Sequence, residues 1–548
     1  MRKSFILSGL LALAFAAQAQ KTKADLLLFN ARIYTADSAF STASALAVTE
    51  GRIVAVGASN DLLARFDPKK KVNAQGRSVY PGFIDAHAHF VNYGFSLQRV
   101  DVTGTRSWSG VLQRVQTFVK KQGLAKGAWI LGRGWDQNDW TKKEFPDRAQ
   151  LDALYPDNPV LLTRVDGHAA IANAAALKAA GIDGPRELMG GTVEIRDGRP
   201  TGILIDNAVD LVGDKIPVPS RRQALSALLA AERNCFAVGL TSIDDCGLDY
   251  EVVQFIDSLQ KRKELKMRIY AMLSDAPRNF EWALRYGPYA TDRLSVRAFK
   301  VYADGALGSR GATLLQPYSD KPGWSGFLLS RPEHFDSVAH VLYQNNWQMC
   351  THAIGDSGNR TVLKIYGKYL QGKNDRRWRI EHAQVVAPED FALFGRYGIV
   401  PSVQPTHATS DMYWAADRLG ADRVKGAYAY RQLLEQNGWM PLGTDFPVED
   451  ISPFKTFYAA VARKDSKGFP AGGYHPENAL TRRQALWGMT LWAAKSNFEE
   501  GVKGSLELGK WADFIILDRD LMTVEEKQIL STRVLETYVA GSVVFRRQ

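Results

Sequence analysis

Val79-Tyr80-Pro81-Gly82-Phe83-Ile84-Asp85-Ala86-His87-Ala88-His89-Phe90 is the stretch on which the fold turns. After a Pro-Gly break it runs apolar and closes on a His-x-His pair. If Phe83–Phe90 is a strand, alternate side chains share a face, so Asp85, His87 and His89 point the same way. Two neutral imidazoles at one strand end suit zinc or a neighbouring divalent ion. Two satisfied structural histidines fit the motif as well, so the pair alone leaves the choice open.

Beyond Phe83 short apolar runs alternate with helix-like segments. Candidate strands are Trp129–Gly132, Val160–Thr163, Thr241–Asp244, Met267–Met272, Val296–Tyr302, Gln348–His352, Arg379–Glu381, Ile399–Val403 and Met440–Gly443, with helices such as Arg222–Val238 and Glu333–Asn345 between them. Sustained alternation of this kind predicts an α/β fold, a (β/α)8 TIM-like barrel rather than one open sheet.

The informative polar groups fall at strand ends, where barrel enzymes place their sites. They are His87 and His89, then Lys300 in R-A-F-K-V-Y, His352 in C-T-H-A, His382 in R-I-E-H-A-Q and Asp445 in G-T-D-F-P. A βαβ unit advances about 30 residues or a little more. His352 to His382 is 30 residues, Lys300 to His352 is 52 and His382 to Asp445 is 63, which assigns strands four, five, six and eight. His89 to Lys300 is 211 residues, too long for three units, which predicts an inserted subdomain at about 101–219 after the first barrel strand. Lys300 in an apolar strand is costly unless neutralised, paired or modified. Pairing to Asp304 is the simplest alternative; a carbamate on Lys300 would be an anionic ligand able to bridge two ions.

Both chain ends carry short strands: three within Ala24–Ala58 and two more at Phe514–Leu517 and Leu535–Phe545. Neither end buries enough surface alone, so they are expected to form one composite β-sandwich from residues 20–82 and 495–548 around a barrel of residues 83–494. Met1–Ala19 has the basic start, apolar run and Ala-Gln-Ala end of a signal peptide, which predicts export to the periplasm or outside. That run is too short for a membrane span, and no later stretch is long and apolar enough for one.

With 45% hydrophobic and 23% charged residues, the 548-residue chain has the composition of an ordinary globular protein. Losing Arg2 and Lys3 takes the formal charge from +11 to +9, and Lys69-Lys70-Lys71 and Lys261-Arg262-Lys263 read as solvated faces. Nucleic acid is not an expected partner. Three cysteines, Cys235, Cys246 and Cys350, exclude a disulfide scaffold and a cysteine-only metal site. A homo-oligomer is compatible with the sequence, and no single stretch declares an interface.

P-G-F-I-D-A-H-A-H, F-K, T-H-A, E-H-A, G-T-D and the closing G-S-L-E-L-G-K-W-A-D-F-I-I-L-D together resemble the metal-dependent amidohydrolase superfamily. Gly132–Gln137, Asp166–Asn173, Thr201–Ala208 and Asp304–Arg310 narrow the resemblance to amidohydrolase family 3, the group that contains N-substituted formamide deformylase. It implies one or two divalent ions, zinc first among them. His87, His89 and Asp445 would hold the more buried ion, Lys300 would bridge as its carbamate, and His352 and His382 would hold the second. Asp445 would accept the proton of attacking water and pass it to the leaving nitrogen. The expected reaction is hydrolysis of a carbon–nitrogen bond in a small amide, N-substituted formamide or cyclic amide. Other readings are a peptidase-like or lactone-cleaving member, or a catalytically silent periplasmic binding protein, against which the full ligand set argues. His168, His407 and Trp135 are further candidates for substrate contact, with Trp140, Tyr413 and Trp414 as apolar lining; core packing is the competing reading for each.

Overall fold

The computed structural model describes residues 21–164, 169–186, 188, 191–308 and 310–548; the leader Met1–Ala19 and His168 lie outside them. Seven parallel strands follow one another in chain order around a barrel: Phe83–Ala88, Leu240–Leu248, Arg268–Ser274, Leu294–Tyr302, Gln348–Ala353, Arg379–His382 and Val400–Ser402. The eighth position is an irregular segment, residues 440–443. Leu442 forms a parallel bridge with Val403. Its carbonyl accepts from Ala86 N at 3.2 Å, and Asp445 N donates to His87 O at 2.7 Å. Pro441 supplies no backbone donor there, which is one reason the last strand is not regular.

Period-two alternation builds the barrel's two faces. Ile269, Ala271 and Leu273 pack outward in the main core with the surrounding helices. Tyr270 and Met272 turn inward and form a separate cluster with Cys246, Ala298 and Cys350. Lys300 lies two residues beyond Ala298, and His352 two beyond Cys350, so the interior face continues up to both side chains. Gly443 permits the closure: a Cβ there would stand 2.5 Å from His87 N.

The insertion is a subdomain with cores of its own. Its six strands run in the order Gly191–Arg196, Arg199–Asp206, Ala169–Ala172, Val160–Arg164, Ile130–Trp135 and Val100–Asp101. Alternation divides them between two layers. Val160, Leu162, Ile171 and Ile203 pack with Val111, Leu112 and Val115 of helix Trp108–Gln122. Leu161, Ala170, Ala172 and Leu204 pack on the other face with Ala176, Leu177 and Val212. The candidate strands at Trp129–Gly132 and Val160–Thr163 therefore belong here and not to the barrel.

The termini form two sheets. One takes all its strands from the N-terminal part: Thr22–Phe29, Ala45–Thr49, Arg52–Gly57 and Phe66–Asn73. The other joins Arg32–Tyr34, Thr42–Ala43 and Ser78–Pro81 to Phe514–Leu517, Val534–Val539 and Ser542–Arg546. Leu26, Leu28, Leu46 and Val48 meet Val79, Phe514, Ile516 and Tyr538 between them, so the sandwich needs both ends of the chain. Arg268 ties the barrel to this unit through a buried two-point pair with Asp513, at 2.5 and 3.0 Å. Cys235, Cys246 and Cys350 are all buried and free. Among the described residues no helix is long and apolar enough to cross a membrane.

Candidate metal centre

Five strand ends bring their polar side chains to the barrel mouth. His87 stands near the end of the first strand, fully buried, and Asp85 below it ties that strand to the eighth segment. The Asp85 carboxylate accepts from Thr444 N at 2.9 Å and Thr444 Oγ1 at 2.7 Å. His89 lies one residue past the strand, just before helix Phe90–Ser96. Asp245 of the second strand receives Phe90 N and Val91 N, each at 3.1 Å, which seats that helix and the histidine before it. His382 and Asp445 both have left-handed backbones, with φ of 71° and 65°. Such conformations cost energy in non-glycine residues and gather at functional sites.

Three of the histidines already have their Nδ1 committed. His87 Nδ1 faces Glu381 Oε2 at 2.5 Å, His89 Nδ1 faces Cys246 O at 3.1 Å and His382 Nδ1 faces Gln404 Oε1 at 2.7 Å. All three partners are acceptors, so in the neutral rings Nδ1 carries the proton and Nε2 presents a lone pair. Ligand atoms of His87, His382 and Asp445 lie within 4.8 Å of one another, a spacing that could hold one ion. Asp445 Oδ1 is 3.2 Å from His89 Nε2 and 3.7 Å from His87 Nε2, and Asp445 Oδ2 is 3.6 Å from His407 Nε2.

Burial shapes the electrostatics. It drives His87 down, and Lys300 adds to the effect, although Glu381 opposes it. His352 is pushed down to about 3 by burial and then by Lys300 and His87. His382 falls well below the usual imidazole range for the same first reason, with His352 and His87 adding to it. These rings are neutral near pH 7, the form that ligates metal. Burial would raise the Asp445 carboxyl, but its contact with His89 and the surrounding imidazoles outweigh that and hold it well below the usual range.

The residues fit a divalent cation. His89 Nε2 and Asp445 Oδ1 face each other at 3.2 Å, a contact that calls for a positive charge between them, a proton or a metal ion. Asp445 Oδ1, His352 Nε2 and His407 Nε2 are buried without a hydrogen-bond partner. Such atoms are costly unless something satisfies them. Imidazole nitrogen and carboxylate oxygen are a donor set that zinc accepts.

Lys300 is 1% exposed, and its Nζ is 3.1 Å from His87 Nε2, so it does not pair with Asp304. Asp304 instead accepts from Thr313 N, Ile354 N and Gly355 N at 2.8–2.9 Å, stitching the loops after the fourth and fifth strands together. His352 joins the cluster with its ring 4.5 Å from that of His382. His407, on helix Pro405–Asp411, lies 5.7 Å over His382, ring to ring.

Trp135 is not brought to the cluster. It is fully buried in the core of the insertion, where its Nε1 donates to Leu162 O at 2.7 Å. Trp140 packs 6.1 Å from it in the same subdomain, while Tyr413 is exposed and stacks on Phe469 at 5.7 Å. Glu381, Gln404 and Tyr302, the last with its ring 5.6 Å from His352, take part without having been singled out from sequence. The signal for Glu381 lay in its neighbours: Arg379-Ile380-Glu381-His382 is a strand with three polar or charged residues out of four, which must find partners if buried.

The profile described as "Amidohydrolase family" matches residues 70–545. Protein LONG AFTER FAR-RED 3 of Arabidopsis thaliana is 34% identical over 540 residues, covering 95% of this chain and 92% of its own. The N-substituted formamide deformylase of Arthrobacter pascens is 26% identical over 546 residues, covering 95% of this chain and 98% of its own. Among solved structures, an uncharacterized metal-dependent hydrolase from Pyrococcus horikoshii is 27% identical with a TM-score of 0.78, covering 91% of this chain and 99% of that one.

Proposed function

The chain belongs to the amidohydrolase family, and from that premise we propose that it hydrolyses the carbon–nitrogen bond of a small amide, N-substituted formamide or cyclic amide. The observation that carries the reading is the set of imidazole nitrogens that face the Asp445 carboxylate. His87, His89, His352, His382 and Asp445 would hold one or two divalent ions, zinc first. When bound, such an ion polarises a carbonyl and makes water a stronger acid. Asp445, ionised and flanked by His89 and His407, would take a proton from the attacking water and return it to the leaving nitrogen.

Lys300 enters the same proposal as a carbamate. As an ammonium it would place a positive charge 3.1 Å from His87 Nε2, the atom that would hold an ion. Carbamylation replaces that charge with an anionic oxygen ligand on the same side chain. The formamide branch draws support from the similarity to N-substituted formamide deformylase, whose name describes this kind of activity. Export follows from the Met1–Ala19 leader and is checked by N-terminal sequencing of the mature protein.

The test is a panel of N-substituted formamides, simple amides and cyclic amides, followed by amine release on zinc-loaded protein. Release from at least one class, lost in Asp445→Asn, is expected. No turnover of any class by protein loaded with zinc and bicarbonate would contradict the reading.

A further inference from the structure

We propose that Glu381 is a positioning residue for the metal centre, and that Arg379 and Asn497 set its orientation from beneath. The inference rests on the reading of His87 as a ligand. Glu381 is fully buried, with Oε2 2.5 Å from His87 Nδ1. A carboxylate opposite an imidazole N–H fixes the ring's tautomer and angle and makes its other nitrogen a stronger base. Glu381 Oε2 meets Nδ1 of the ring, the nitrogen opposite the one that faces Asp445, so its contact is with the ring and not with the ion's position.

Its support comes from the barrel floor. Glu381 Oε1 has no hydrogen-bond partner and faces the fully buried Arg379 as an ion pair, with Nη1 3.9 Å away. The same Nη1 donates to Asp244 Oδ2 at 2.9 Å and to Ala86 O, the carbonyl just before His87, at 3.3 Å. Arg379 Nη2 donates to Asn497 Oδ1, and Asn497 Nδ2 donates to Asp244 Oδ1 at 2.6 Å. Asn497 follows the last barrel helix, Leu491–Ser496. One line of polar contacts thus runs from the C-terminal segment to His87. A buried ion pair adds little net stability, because desolvation offsets its attraction. The contact with His87 is therefore the better account of why a carboxylate sits there.

Zinc affinity of the full chain, measured by competition with a chelator on the metal-free protein, tests this. Glu381→Ala should lower affinity about 10- to 100-fold. Glu381→Gln keeps an oxygen that accepts from Nδ1–H, so it should lose less than Glu381→Ala; it also serves if the alanine variant fails to fold. Thermal unfolding of the metal-free variants reads any structural contribution separately. Wild-type zinc binding with unchanged affinity in the folded variants, whatever their melting temperatures, would overturn the inference alone. No zinc binding by the wild type would overturn the metal reading and this inference with it.

Discussion

At His89 the ring commits its Nδ1 proton to Cys246 O, 3.1 Å away, and turns its other nitrogen toward Asp445 Oδ1. The chemistry expected of the site follows from this orientation, because Asp445 can serve both an ion and a proton in transit. Asp445→Asn should lower kcat by about 10²- to 10⁴-fold, the range for losing a general acid–base group. Amine release under saturating substrate measures it, and a variant as fast as wild type would contradict the role. For Lys300, protein prepared with ¹³C-bicarbonate should show a carbamate carbon signal that Lys300→Met lacks; the same signal in both would place the carbamate elsewhere. Most of this cluster was legible because polar side chains at barrel strand ends leave a spacing. Glu381 was not read in this way because it is adjacent to His382, and a regular strand sends neighbours to opposite faces. The positive φ of His382 and Ala383, 71° and 42°, breaks that rule, and the side chains of Glu381 and His382 both reach the centre. Trp135 went the other way: its large ring serves the core of the insertion equally well, and nothing local distinguishes the two uses.

The junction between the first strand and the eighth segment is where element geometry acts on the site. Gly443→Ala would bring a Cβ to 2.5 Å from His87 N and 2.8 Å from His87 Cβ. Forcing the two apart should cost about 1–3 kcal/mol, as other overpacking does, and lower zinc affinity together with the melting temperature. Calorimetry with metal titration checks both, and a lower melting temperature with wild-type affinity would uncouple junction from centre. The insertion should behave independently. Trp135→Ala should cost about 3–5 kcal/mol of the insertion's stability while leaving bound zinc unchanged. Protease sensitivity confined to residues 100–206 with full metal content is the expected pattern. The repeat spacing of β-α units revealed the barrel. It did not reveal that the insertion is a sheet with two cores, since apolar runs such as Val160–Thr163 read alike in either setting.

For the whole molecule, the two chain ends are structural parts of the enzyme. Residues beyond Ser496 supply Asn497 to Arg379, Lys503 to Ser242 Oγ at 2.7 Å and Asp513 to Arg268. A chain ending at Ser496 would leave buried Arg268, Arg379 and Asp244 without these partners. Breaking one buried pair costs about 3–5 kcal/mol, so losing several should leave no stable fold. Circular dichroism of that truncation should show no cooperative unfolding; a cooperative transition near the wild-type temperature would contradict the composite design. That both ends meet was legible from their size, since neither could form a core alone. Which charged residues they insert into the barrel floor was not, because such pairs join positions such as Arg268 and Asp513 that no local pattern connects. The central claim is that this cluster of histidines and Asp445 holds metal, and elemental mass spectrometry of the purified full chain after incubation with zinc and bicarbonate tests it most directly. One to two equivalents of zinc per chain, falling in Asp445→Ala, is the predicted result. Less than a tenth of an equivalent in the wild type would contradict it.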